Sequence, residues 1–198
     1  MRFQGFSDHT VSTLCNWYEA ERSPEEGEGH PMNCVDWPTA AAFCEWDTAG
    51  GALPTEAQWE YAERGPAGRP WPWGGPEGSM FDGRVCRDHQ SGTCLEADPA
   101  YERGATPSPE RVWHLAGNVW EWTRDWYAPY SDPTCWNMQV RTNPLCVNDA
   151  SGHRSFRGGS WNGSEASFVR SGARSGAPPA DVIVDVGFRC ARPLLAPS

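Results

Sequence analysis

Eight cysteines are the first residues in this sequence that could carry chemistry, as metal ligands, redox groups or disulfides. No two of them form a C-x-x-C pair, and this disfavours a zinc ribbon or a thioredoxin-like redox motif. An even number of cysteines without such a motif favours disulfides, so we expect an oxidising, extracytoplasmic or secreted location. The eight are Cys15, Cys34, Cys44, Cys86, Cys94, Cys135, Cys146 and Cys190.

Other catalytic groups are less clearly patterned. His9, His30, His89 and His153 lie apart, with no H-x-x-x-H or H-E-x-x-H spacing. A Ser/His/Asp triad stays open on composition, but no G-x-S-x-G elbow marks its nucleophile. The sequence does not identify a glycosidase-like pair of carboxylates. The tripeptide 162–164 fits an N-x-S glycosylation acceptor, which is a weak signal in isolation.

Composition favours one folded domain over a disordered or nucleic-acid-binding chain. The length of 198 residues suits a single core. The 21 glycines and 18 prolines predict many turns, and the 12 tryptophans supply too much apolar surface for a disordered chain. The net charge of −10, without a basic run, disfavours a phosphate-backbone partner. No apolar run reaches the ~20 residues of a membrane span, and no signal peptide follows Arg2.

Short signals place two helices and a C-terminal strand. Asp36 can cap a first helix, and Thr55 with Gln58 matches a capping box at the start of a second. The run Val182–Val184 is a strand signal, and V-G-F-R-C-A-R predicts a final core strand. Residues 66–112 have the turn-rich composition of a loop.

Four motifs occur in a fixed order along the chain. They are L-P-T-E-A-Q-W-E-Y-A at 53–62, G-N-V-W-E-W at 117–122, R-G-G-S-W at 157–161 and G-F-R-C-A-R at 187–192. On these motifs the sequence resembles the formylglycine-generating enzyme, or sulfatase-modifying factor, family from about Pro31 to Pro193.

The resemblance implies the fold. The family has an α+β variant of the C-type lectin fold, loop-rich with low regular secondary structure, a small twisted antiparallel sheet and a few helices. We therefore expect one such domain over residues 1–198. The strand-rich segment with which the family normally begins is not found, so we expect the domain to be truncated at its N-terminus.

The resemblance also bears on disulfide pairing. The family joins the cysteine of its first conserved helix to that of G-F-R-C, which implies Cys44–Cys190. Cys86–Cys94 and Cys135–Cys146 are each close in sequence and would staple loops, the second within a predicted insertion at 128–153. Cys15–Cys34 then remains.

Formylglycine synthesis in the family uses copper(I) held by two cysteines about five residues apart, just after G-G-S. In this sequence the first position falls on Gly163 and the second near Ser167 or Phe168. The window 162–168 contains no Cys, His or Met, and copper(I) prefers soft sulfur ligands. Copper is therefore not expected, nor is the oxidase chemistry. Ser160 and Trp120 match neighbours of the family site, and we interpret them as structural.

Calcium is the second cofactor that the resemblance raises. The family motif places Glu121 as the carboxylate ligand and Gly117 and Val119 as carbonyl ligands. Its first ligand position falls on His114, which departs from the pattern because calcium prefers oxygen. Asp82 and Asp98 could support another calcium site. Retention of calcium stays open at this point.

The function predicted from these observations is a non-catalytic domain that binds a protein or a small-molecule ligand. A specific version is a variable protein of a diversity-generating retroelement, since those proteins resemble the family. The alternatives are an enzyme, either a formylglycine-generating oxidase of sulfatases or a divergent oxidoreductase using the same pocket, and a purely structural interaction domain. The predicted ligand face comprises Trp161, Asn162, Glu165, Phe168, Arg170 and Arg174, with the edge of 182–184.

Overall fold

The computed structural model describes residue 15 and residues 31–47, 50–72, 112–136, 142–163 and 166–192. Over these ranges the chain forms two α-helices and one small sheet, joined by long irregular connections. The elements are α1 (Trp37–Asp47), α2 (Glu56–Arg64), β1 (Trp120–Trp126), β2 (Arg154–Arg157), a 3-10 turn (Ala166–Val169), β3 (Arg174–Ala177) and β4 (Val186–Phe188). The expected α+β, loop-rich fold is confirmed.

Both helices begin at the predicted caps. Asp36 Oδ1 accepts a hydrogen bond of 3.0 Å from the backbone N–H of Thr39 at the start of α1. At α2, Thr55 Oγ1 accepts from Gln58 N at 3.2 Å, and Gln58 Oε1 accepts from Thr55 N at 2.9 Å. This reciprocal capping box satisfies N–H groups that lack partners within the helix. It fixes the start of α2 and so sets where the three glutamates of that helix point.

The sheet is mixed, with strand order β3-β2-β1-β4. Strands β1, β2 and β3 pair antiparallel in sequence order, and β4 pairs parallel with β1. The two edge strands therefore run in the same direction, and residues 178–185 must carry the chain back across the sheet between them. This crossover adds a parallel pair to the antiparallel sheet that the resemblance implies.

The predicted strand at Val182–Val184 is wrong, because the backbone there turns. Ile183 O accepts from the N–H of Val186 at 3.2 Å and from that of Cys34 at 3.2 Å, so this stretch turns into β4 and is not a strand of the sheet. Val182 and Val184 are still buried, against Trp161. A short run of β-branched residues indicates that the segment is buried, and here the burial comes from a packed turn.

The main core lies between α1 and the sheet, around Trp122 and Phe156. Their rings meet edge to face at a centroid distance of 5.2 Å, and Trp122 Nε1 donates to Val35 O at 2.9 Å. Three predicted disulfides are present, Cys15–Cys34, Cys44–Cys190 and Cys135–Cys146. Cys86 and Cys94 lie outside the described residues.

The described helices contain no stretch that has both the length and the apolar character of a membrane span.

Candidate functional site

The turn after β2 is built on two adjacent glycines. Gly158 and Gly159 have φ values of 102° and 74°, in the left-handed region that favours glycine. A Cβ on Gly159 would lie 2.6 Å from both Phe168 O and Val169 Cγ1, and a Cβ on Gly158 would lie 3.0 Å from Trp59 Cζ2. The R-G-G-S sequence therefore lets this turn press directly on the 3-10 turn and on α2.

Hydrogen bonds join the glycine turn to the segment before β1. Gly158 O accepts from Gly117 N at 2.7 Å, and Asn118 O accepts from Trp161 N at 2.7 Å. The motifs G-N-V-W-E-W and R-G-G-S-W thereby meet at one place. The site that results has Ser160 on one side and the 3-10 turn on the other.

The two positions assigned to the copper cysteines lie in contact. The position of a Cβ built on Gly163 is 3.8 Å from Phe168 Cβ and 3.5 Å from Phe168 Cδ2. Cysteines 3.8 Å apart at Cβ have the mean separation found in a disulfide. Of the two alternatives for the second position, Phe168 has the side chain nearest to Gly163. The Phe168 ring, which is 45 % exposed, also meets Trp120 edge to face at 6.4 Å.

Ser160 is engaged by a carboxyl group that sequence reasoning missed. Its hydroxyl is buried and donates to Asp185 Oδ2 at 2.6 Å, and it accepts from Asn162 N at 3.3 Å. Burial raises the pKa of Asp185, against the hydrogen bonds from Ser160 and Asn162 that lower it. These contacts hold the Ser160 hydroxyl within the turn, against Asp185.

Glu121, the carboxylate expected to bind calcium, is held by an arginine. Arg189 Nη2 donates to Glu121 Oε1 at 2.5 Å, and Arg189 Nε bonds Oε2, which also accepts from Trp59 Nε1 at 2.7 Å. The same guanidinium donates to the carbonyls of Trp113 at 2.9 Å and His114 at 3.3 Å. Arg189 thus contacts both carboxylate oxygens of Glu121 with a positive charge, which disfavours a calcium ion at the same carboxylate.

Charge effects agree with this description of the Glu121 site. Burial would lower the pKa of Arg189, but the charge of Glu121 raises it, so Arg189 stays charged. Burial and, second, the Arg189 charge lower the pKa of His114. Within the described ranges, no three His, Cys, Asp or Glu side chains are grouped so as to hold a metal. Asp82 and Asp98 lie outside those ranges.

The meeting of these motifs around one glycine turn is the arrangement that the resemblance implies. Residues 2–194 match the family described as sulfatase-modifying factor enzyme 1-like domain. This chain belongs to that family. It is 36% identical over 186 residues to the formylglycine-generating enzyme of Streptomyces coelicolor, a match that covers 87% of this chain and 56% of the enzyme.

Relatives of this sulfatase-modifying-factor domain include an inactive form. The inactive C-alpha-formylglycine-generating enzyme 2 of Mus musculus is 28% identical over 166 residues, covering 81% of this chain and 48% of that protein. The chain spans about half the length of these curated relatives.

Two solved structures share the fold of this sulfatase-modifying-factor domain. PvdO from Pseudomonas aeruginosa matches with a TM-score of 0.63 and 25% identity, over 84% of this chain and 63% of that one. Treponema denticola variable protein 1 matches with a TM-score of 0.60 and 21% identity, over 83% and 71%. Both likenesses cover most of the described fold.

The structure divides the predicted ligand face of this sulfatase-modifying-factor domain. Asn162, Phe168 and Arg170 are exposed on the turn between residues 160 and 172. Trp161 is instead buried in a cluster with Val119 and the valines before β4. Arg174 points inward to a buried glutamate of α2, at 2.6 Å. Glu165 lies outside the described residues.

Sequence reasoning missed three ionisable residues near the site of this domain. Arg189 belongs to the G-F-R-C motif, so the sequence shows the residue, but it does not show that Glu121 is its ion-pair partner. Asp185 and Glu63 carried no local signal, because what distinguishes them is burial. A charged residue inside an otherwise apolar or turn-forming motif is the signal that could have marked Arg189.

Proposed function

We propose that this chain is a non-catalytic binding domain of the sulfatase-modifying-factor family. The observation that carries the proposal is the pair Gly163 and Phe168, whose Cβ positions are 3.8 Å apart and where neither residue has a sulfur atom. Their geometry suits a two-thiolate site, yet a hydrogen and a phenyl ring offer copper(I) no ligand. The six cysteines in the described ranges are all in disulfides, so none of these replaces the missing thiolates.

We further propose that the domain needs no calcium at Glu121. The Arg189 guanidinium supplies the positive charge, and the Trp113 and His114 carbonyls that it contacts are oxygen donors of the kind that calcium uses. Calcium at the segment containing Asp82 and Asp98 remains a separate proposal. Its test is whether a chelator changes the melting temperature of the parent chain, in which Arg189 is present.

The surface that we assign to binding comprises Asn162, Phe168 and Arg170. An exposed aromatic ring flanked by a guanidinium and small polar residues suits adaptable recognition of a protein or a small ligand. Three disulfides support an extracytoplasmic or secreted location for such a domain. The retroelement version of this proposal requires a template repeat beside the gene, and a genome without one would remove it.

The alternative is an enzyme, and one observation favours it. Over 87% of its own length, this chain is 36% identical to the Streptomyces coelicolor formylglycine-generating enzyme. Under this alternative the chain is either an oxidase of sulfatases or a divergent oxidoreductase that uses the pocket beside Ser160 and Trp120. The following experiment separates the two proposals.

We expect no formylglycine when the full chain is incubated with copper(I), oxygen and a peptide containing Cys-x-Pro-x-Arg, followed by mass spectrometry of the peptide. The Streptomyces coelicolor relative serves as the positive control. Conversion of the peptide by this chain would overturn the non-catalytic proposal, because it would require a copper site that Gly163 and Phe168 do not provide.

A double variant tests the geometry behind this expectation. In Gly163→Cys/Phe168→Cys the two thiols should form a disulfide under oxidation, because their Cβ atoms would be 3.8 Å apart. After reduction, the same pair should bind copper(I) more tightly than the parent chain. The matched control is Gly163→Cys/Ser167→Cys. If the control crosslinks as readily as the first variant, the assignment of the second position to Phe168 is wrong.

We expect ligands selected from peptide and small-molecule arrays to lose about tenfold or more in affinity on Phe168→Ala, since a central exposed aromatic dominates such surfaces. Val147→Ala is the matched control, because Val147 is also strongly exposed but lies in the loop between Cys146 and β2. Equal loss in both variants, or no loss in Phe168→Ala, would contradict the proposed face.

A further inference from the structure

A concave site lies between α2 and two aromatic residues that follow β1, Tyr130 and Trp136. It is a cavity of about 470 Å³, and none of its lining residues belongs to the face around Phe168. A volume of this size accommodates a small organic molecule. The residues that matter for its chemistry are Glu60, Tyr61, Arg64, Tyr130 and Trp136.

Aromatic rings form much of the wall of this cavity. Tyr61 is 61 % exposed and Tyr130 is 53 % exposed, and the Tyr130 and Trp136 rings meet edge to face at a centroid distance of 5.4 Å. The faces of tyrosine and tryptophan rings attract cations through the ring quadrupole. The wall of the cavity therefore favours a positively charged ligand with apolar surface around the charge.

The protein already binds one guanidinium to the same rings. Arg174 Cζ lies 4.4 Å from the centroid of Tyr130 and 5.5 Å from that of Trp136. Arg174 is nearly buried and paired with Glu56 at 2.6 Å, so it approaches the rings from the interior. This contact shows that the rings of this wall can hold a guanidinium.

A carboxylate lies within reach of the aromatic wall. Glu60 Oε2 accepts hydrogen bonds from the buried Arg157 and from Tyr130 Oη, the latter at 3.3 Å, and Oε1 pairs with Arg64 at 2.6 Å. Arg64 is therefore the partner that a cationic ligand would have to displace. Burial raises the pKa of Glu60, but the charges of Arg157 and Arg64 together lower it by more. The net pKa is below the ordinary value, so the carboxyl group is ionised at neutral pH. Arg64 is the more exposed partner, and exposed helical pairs of this kind are weak. A cationic ligand can therefore replace Arg64 at the carboxylate.

We propose that this cavity binds an organic cation, a quaternary ammonium or the basic side chain of a peptide, against Tyr61 and Tyr130 with Glu60 as its counter-ion. The net charge of −10 adds a general attraction for cations. The site does not depend on the face around Phe168, so the two proposals can fail separately.

Calorimetric titration of the full chain with choline and with its uncharged isostere 3,3-dimethylbutan-1-ol tests the role of charge. The two probes have nearly the same shape, so we expect choline to bind at least about tenfold more tightly, as a cation–π site requires. Equal affinity for both probes, no binding of choline, or tighter binding of benzoate than of choline would overturn the proposal.

Variants locate the bound cation. Tyr61→Leu should weaken choline binding by about tenfold without loss of folding, because the ring is largely exposed. Arg64→Gln should strengthen it, since it removes the competing cation from Glu60. Phe168→Ala is the matched aromatic control on the other face and should leave choline binding unchanged. Choline affinity that is unaffected by Tyr61→Leu would overturn the proposed position.

A peptide series distinguishes the two sources of the cation. Short peptides that carry lysine, trimethyl-lysine or arginine are titrated in parallel with choline. Preference for a peptide that is lost when its basic residue becomes norleucine supports a peptide side chain as the ligand. Preference for free choline over every peptide supports a small quaternary ammonium.

Discussion

Arg189→Met is expected to lower the free energy of unfolding by about 3 kcal/mol, near the lower end of the range for breaking a buried ion pair. The physical reason is the isolation of Glu121, whose side chain is only 6 % exposed and which would lose its charged partner. Arg189 itself is 27 % exposed, and this partial access to water keeps the expected loss at the low end. Urea unfolding of both proteins measures the difference.

Calcium makes the Arg189 experiment specific to the ion site. In Arg189→Met, added calcium should restore part of the lost stability, because Glu121 and the Trp113 and His114 carbonyls are then free to bind it. In the parent chain, where Arg189 contacts Glu121, added calcium should stabilise less than it does in Arg189→Met, and any effect of a chelator would be assigned to the segment that contains Asp82 and Asp98. Arg124→Met is the matched control on an exposed arginine and should change stability by at most about 0.5 kcal/mol. A parent chain stabilised by calcium, with unchanged stability in Arg189→Met, would contradict the replacement of the ion by Arg189.

Glu63→Gln is expected to stabilise the domain at pH 8 by at least about 1 kcal/mol, because an amide stays neutral in the buried site without having to hold a proton, and a pKa raised by one unit corresponds to about 1.4 kcal/mol. Glu63 on α2 is fully buried, and among the described residues neither of its carboxylate oxygens has a hydrogen bond of normal geometry. Burial raises its pKa well above 4.5, only partly opposed by the Arg157 charge. The folded domain therefore holds Glu63 protonated at a pH where the unfolded chain has released the proton.

The sign of the pH dependence follows from the raised pKa of Glu63. Its stabilising contribution is complete below the unfolded pKa near 4.5 and is lost as the pH rises through the folded pKa. The parent and Glu63→Gln should thus have similar melting temperatures at acidic pH and diverge as the pH increases, measured by thermal unfolding across the range. Glu45→Gln, at an exposed glutamate of α1, should show no such divergence. Parallel curves for the parent chain and Glu63→Gln would show that Glu63 does not titrate in this way.

Local chemistry was predictable wherever it depends on neighbours in the chain. The capping box of Thr55 and Gln58 requires only a hydroxyl and an amide three residues apart, and it is present. The adjacent Gly158 and Gly159 both have positive φ, a conformation that glycine adopts without steric cost. The strand signal at Val182–Val184 misled, because alternating burial is shared by a strand and by a packed turn.

The sequence by itself determined the family, the helix starts and the absence of sulfur ligands from the window 162–168, because each follows from residue type or a motif. The three disulfides now described were predicted from the family resemblance and from spacing. Only the tertiary structure decided that Trp161 packs inward, that Arg174 pairs with α2 and that Arg189 holds Glu121. These contacts join residues up to 118 positions apart. Whether a large or charged side chain faces water or a partner depends on which distant segment lies against it, and residue type alone does not specify that.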